Sequence, residues 1–150
     1  MTPDPKLDEA LDDLDGPGTV EVDHDGHSAE VDVVDVDRIG VRVKGVRVRH
    51  DGPVDVQREA EDLPDRLRSL PEPVGPIEVA PELGGAILRG TPDRERRYFE
   101  VDVQPDRTDI RRKQVDDDGE RSETDWSMTR DQLERLIDEV SPGQPTDIDK

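Results

Sequence analysis

"AEVDVVDVDRIGVRVKGVRVRH", residues 29–50, decides the fold. In its first half carboxylates alternate with valines, and in its second half arginines and one lysine do. A period of two is the signature of a strand with one buried and one solvated face. Asp37 to Gly40 supplies the turn, so the stretch reads as one long hairpin. That register sets Val36 opposite Val41 and Val34 opposite Val43, with Asp35 facing Arg42 and Glu30 facing Arg47. The alternation slips phase at facing places, near Val33-Val34 and Lys44-Gly45, which predicts either a strong twist or a bulge at Gly45. The basic half is therefore read as the cross-strand complement of the acidic half, and not as a site for an anionic partner.

Working outward, "TVEV" from Thr19 keeps the period of two, and "DHDGH" supplies an Asp-Gly turn. Residues 1–17 read as an N-terminal amphipathic helix or arm. Asp4 caps it, Pro5 suits its first position, Leu7, Leu11 and Leu14 share a face, and Gly16-Pro17 stop it. Beyond Gly52-Pro53 the period becomes helical through Val56, Ala60, Leu63, Leu67 and Leu70, and Pro64 divides or kinks that segment.

"PEPVGP", residues 71–76, reads as a linker. After it come "PIEVA", "GGAILRG", "RRYFEVDVQ" and "TDIRRKQV", with a turn expected at Asp106-Arg107. Asp102 would then face Arg111, and Glu100 would face Lys113. A last strand, "ERSETDW", leads to a capping box of Thr129 and Gln132, with Met128 and Leu133 as its hydrophobic staple. The helix that follows carries Leu133, Leu136, Ile137 and Val140 on one face.

The expectation is an α+β fold: a largely antiparallel sheet of roughly six to eight strands in long hairpins, with helices packed on one face. Residues 18–140 form a single domain whose halves, 18–70 and 76–140, are both βββα-type, the pattern of an internal duplication. Residues 141–150 read as a disordered tail.

Composition bounds the function. Asp and Glu number 40 against 21 Lys and Arg, for a formal net charge of -19 and only four lysines. A carboxylate-rich, lysine-poor surface suits a solvent of molar salt, where the screening length falls to about 3 Å and self-repulsion is largely removed. Leu, Ile, Val and Phe make up roughly 23% of residues, near the ~20% below which a charged chain does not fold, but their periodicity argues for a core. The absence of cysteine excludes disulfides, thiol catalysis and Cys-based zinc sites. No leader-like or membrane-spanning run is present, so the expected address is cytoplasmic.

Two constellations stand out. The hairpin register places His27 opposite His50, and with Asp25 they offer two imidazoles and a carboxylate for a divalent metal; His24 and Asp23 lie nearby. Residues 21–32 imitate a calcium loop but begin with Glu, end with Asp and are flanked by strands where helices are required. The second constellation is Arg94, Arg96 and Arg97 beside Tyr98, which have no acid predicted opposite and form an anion or partner patch.

No nucleophile elbow, phosphate-binding glycine loop or dinucleotide fingerprint is present. Nucleic acid is not expected as a partner, because the net charge repels a polyanion and stacking aromatics are lacking. The leading expectation is a binding or protein-interaction module without catalysis or cofactor, monomeric or homodimeric. The alternatives are an acidic chaperone-like or inhibitor protein, and a metal-dependent enzyme using the histidines.

Overall fold

The computed structural model describes residues 5–14, 16–24, 27–50, 55–69, 74–80 and 85–140. In chain order the elements are α1 (Pro5–Asp12), β1 (Gly18–His24), β2 (His27–Val36), β3 (Gly40–Arg49), α2 (Val56–Arg66), β4 (Val74–Ala80), β5 (Gly85–Gly90), β6 (Arg97–Val103), β7 (Arg107–Val115), β8 (Arg121–Thr124), β9 (Trp126–Thr129) and α3 (Arg130–Val140). The fold is α+β, with one antiparallel sheet in the order β1-β2-β3-β7-β6-β5-β4. β3 and β7 pair only through Gly45–Arg49 and Arg107–Arg111. Beyond that they diverge, and the β8–β9 ribbon fills the fork, β8 on β7 and β9 on β3.

Two meanders, β1-β2-β3 and β4-β5-β6-β7, thus meet at their last strands. The helices cross over: α2, which follows the first meander, packs on β4, β5 and β6, while α3, which follows the second, packs on β3 and β9. Neither meander covers its own apolar face, so both share one core. α1 packs on β1, burying Leu7 and Leu11. The core is mainly valine and leucine around Phe99 and Trp126, whose rings meet edge to face with centroids 5.1 Å apart. The second meander has four strands plus the ribbon against three in the first, so the halves share a plan without being equal.

The hairpin of residues 29–50 has the expected turn, with Val36 opposite Val41, Asp35 opposite Arg42 and Glu30 opposite Arg47. Val33, not Val34, lies opposite Val43, because paired irregularities around Val33 and Lys44 shift the register and restore it. The consequence is that Val41, Val43, Val46 and Val48 all enter the same core despite their broken alternation. The side chains pair less simply than the backbone. Glu30 bonds diagonally to Arg49 at 3.3 Å, while Arg47 turns the other way to Asp109 on β7.

Gly45 lies between Asp32 and Arg111 in the sheet. A Cβ there would stand 2.7 Å from the Arg111 Nη1. The missing side chain lets that guanidinium cross β3 to Asp32, 3.3 Å away.

The second hairpin corrects the expected register by two residues: Glu100 faces Arg111 and Asp102 faces Asp109. The reversal centres on Pro105-Asp106, where Gln104 N–H donates to the Arg107 carbonyl. Proline's fixed φ favours the first central position of a tight turn, and that preference moves the turn one residue earlier. Glu100 instead pairs with Arg89 on β5 at 3.3 Å.

α2 is a single helix that continues through Pro64 and ends two residues later, at Arg66, so proline's missing N–H costs it the bond to the Ala60 carbonyl without dividing it. Leu67 is buried after the helix ends, and Leu70 lies outside the described residues. The segment expected as a linker is half strand, since β4 begins at Val74. At α3 the capping box is as expected, Thr129 N–H to Gln132 Oε1 at 2.9 Å and Gln132 N–H to Thr129 Oγ1 at 3.0 Å, with Met128 and Leu133 buried beside it.

Candidate functional site

The His50 ring faces β7. Its Nε2 lies 3.0 Å from Thr108 Oγ1 and its Nδ1 3.3 Å from the Pro105 carbonyl, while its N–H donates to the Asp106 carbonyl. His24 and His27 are backbone partners closing the β1–β2 hairpin. Their side chains, and Asp25 altogether, lie outside the described residues. Among the described residues no group of three His, Asp or Glu side chains is placed to hold a metal ion.

The second constellation falls on the β5–β6 loop. Asp93 organises it by accepting from Glu95 N–H and Arg97 N–H at 2.9 Å each, and these donors, Arg97 first, hold its carboxyl below the ordinary range. The same carboxylate binds the Arg97 Nε at 2.9 Å and the buried Arg112 at 3.2 Å. Arg112 in turn lies over the Phe99 ring, 4.7 Å from its centroid. Arg96 reaches Asp117 at 3.5 Å, and Tyr98 is buried with Arg89 over its ring. Of the three arginines only Arg94 lacks an ion pair or hydrogen-bond partner among the described residues, and the buried Tyr98 hydroxyl has no hydrogen-bond partner there either. The neighbouring Asp93 and Glu95 carboxylates, together with the Asp117 carboxylate and Asp116 carbonyl after β7, meet most of this patch's charge.

A third location gathers more features. The tip of the β2–β3 hairpin is tied into a tight reversal: Asp37 Oδ1 accepts from Gly40 N–H at 2.6 Å and from Ile39 N–H at 2.9 Å. Those bonds, Gly40's the larger, lower the Asp37 carboxyl from its ordinary value. Arg130, the first residue of α3, then clamps the tip. Its N–H donates to the Ile39 carbonyl at 2.9 Å, its guanidinium donates to the Asp37 carbonyl at 2.8 and 3.1 Å, and it pairs with Asp12 of α1 at 2.9 Å.

So held, Ile39 stands 74% exposed, the one exposed large hydrophobic side chain among the described residues. Three shallow hollows converge beside it on Gln132. One adjoins Asp35, Asp37 and Arg42, another Asp12, Arg38 and Asp131, and a third Arg68, Trp126 and Arg135. Arg38 and Arg135 have no partner among the described residues. Sequence reasoning treated residues 37–40 only as a turn. The available signal was an isoleucine inside a four-residue reversal, a position that ordinarily takes polar residues or glycine.

No family model matches the chain, and searches of curated proteins and of solved structures found no match either. No helix among the described residues is long and apolar enough to cross a membrane.

Proposed function

We propose that this protein is a small, salt-adapted cytoplasmic interaction module without catalysis, which docks a protein partner through the β2–β3 hairpin tip and the adjoining first turn of α3. The observation that carries the reading is Ile39. A large apolar side chain is held in solvent by a reversal that Asp37 and Arg130 fasten at both ends. A pinned, exposed apolar residue loses little conformational freedom on binding, so its burial is gained at low entropic cost. Arg38 and Arg135 beside it supply planar donors for carboxylates on a partner's surface. The -19 charge supports the salt-adapted part of the reading, since strong screening removes the self-repulsion that such a charge creates.

A photo-crosslinking amino acid placed at position 39 tests this in the source cells at their native salt, with position 94 as the control. Adducts with a defined protein at 39 and not at 94 are expected. The same weak, unspecific adducts at both positions would refute the docking surface.

A further inference from the structure

Of the three hollows around Gln132, one differs in charge from its neighbours. Two aspartates line each of the others, as expected in a chain with 40 acidic residues. The third, about 340 Å³, is lined by Arg68, Ser69, Trp126, Ser127, Met128, Gln132 and Arg135, and no carboxylate is among them. We infer that this hollow is a binding site for a compact oxyanion carrying two charges, a phosphate or a dicarboxylate. The inference does not depend on a protein partner.

The donor inventory supports this. Arg135 has no partner among the described residues, and Arg68, just beyond the end of α2, spends its Nε–H on the Asp65 carbonyl at 3.3 Å, leaving its terminal nitrogens. Ser69 is not counted, because its hydroxyl donates to Glu139 at 3.0 Å. Gln132 commits its oxygen to the Thr129 N–H, which leaves its amide NH₂ as a donor. Ser127 accepts only a long contact of 3.5 Å from Arg42, so its O–H is also available. The set is two guanidinia, one amide and one hydroxyl, with acceptors already used inside the protein. Such a set suits an acceptor-only ligand.

Two further features agree. The first turn of α3, the positive end of its helix dipole, borders the hollow at Gln132, although its Arg130 and Gln132 N–H groups already donate to the Ile39 carbonyl and Thr129 Oγ1. The wall includes Trp126, 4% exposed, whose indole N–H is buried and lacks an acceptor among the described residues. A buried unsatisfied donor raises the local demand for negative charge in a region of low dielectric. Its ring is fixed by the edge-to-face contact with Phe99, so the wall is rigid before any ligand arrives.

Trp126 is the chain's single tryptophan and therefore a built-in reporter. Its fluorescence is followed on the full chain at constant ionic strength while chloride is replaced by inorganic phosphate or by succinate. A saturable change with one or both is expected, at least tenfold weaker in Arg135→Gln and in Arg68→Gln and unaltered in Arg94→Gln. Saturation by phosphate alone points to phosphorylated ligands, and saturation by succinate alone to carboxylates. Arginine Nε–Hε NMR resonances provide the second readout. The site is overturned if neither anion shifts the Arg68 and Arg135 signals, or if both glutamine variants titrate like the parent.

Discussion

Replacing Arg96 with glycine should stabilise the protein, and the structure contains its own control. Residues 93–97 and 116–120 form the same five-residue reversal. In each an aspartate begins the turn, its Oδ1 accepts the N–H groups two and four residues on, and its own N–H donates to the fifth residue's carbonyl. The fourth residue is left-handed in both, Arg96 at φ 62 and Gly119 at φ 83. Only glycine takes that conformation without penalty; another L-residue loses about 1–2 kcal/mol. The Arg96–Asp117 contact offsets little of this, because Asp117 is fully solvated.

Glycine returns about 0.4–1 kcal/mol through the freer unfolded chain, so R96G should gain a net of about 0.5–1 kcal/mol. For a chain of this size that is roughly 1–4 °C in Tm. G119A should lose a similar amount, and a Cβ at Gly119 meets nothing within 4 Å, so its loss reports backbone conformation and not a steric clash. The assay is urea and thermal unfolding at fixed KCl, followed by Trp126 fluorescence and far-UV circular dichroism. R96G at or below the parent, or a neutral G119A, would refute the reasoning.

Four other outcomes are expected. Arg66 clamps the helices: it binds Glu59 through two bonds of 2.8 and 2.9 Å and donates to the Glu139 and Val140 carbonyls at 3.0 and 3.3 Å. Arg66→Ala strands the buried Glu59 and should cost about 2–4 kcal/mol in urea unfolding, and an R66M/E59L variant should recover part of that loss.

Gly45→Ala should displace the Arg111 guanidinium and cost up to about 1 kcal/mol. Adding Arg111→Ala should then cost less than it does alone, and strict additivity in the double-mutant cycle would reject the crossing over Gly45. Tm should rise as KCl increases from 0.1 M to the molar range, about 10-fold or more in ionic strength, because self-repulsion is screened more than exposed pairs are weakened. A Tm that falls with salt would show the ion pairs dominating.

Acid titration should find the Asp37 and Asp93 carboxyls ionised below the ordinary value of 3.8. Both folded values are depressed, so their contribution is complete above the unfolded value and is lost as pH falls through the folded one. Carbonyl NMR shifts that midpoint at or above 3.8 would contradict the turn geometry.

Residue by residue, the sequence was most informative where the signal is local. Alternating valines, the Asp37 turn and the Thr129–Gln132 box each act within a few residues, so strand, reversal and helix start follow from nearby chemistry alone. The second hairpin shows the limit. Its alternation is as clear as the first's, but period-two patterns fit registers two residues apart equally well, and choosing between them rests on which residue pair turns. The expected histidine pair could be proposed from register, but register cannot show that the His50 ring faces β7.

What the sequence alone determined is the class of fold: α+β, antiparallel, with an aliphatic core. These follow from periodicity and turn chemistry, which act over short separations. Only the tertiary structure decided that each meander is covered by the other's helix, that Arg47 and Arg111 bond across β3 and β7, and that Arg68 and Arg135 share a hollow without a carboxylate. Those juxtapositions come from how the core closes over distant segments, and burial of apolar surface is non-directional and names no partners in advance.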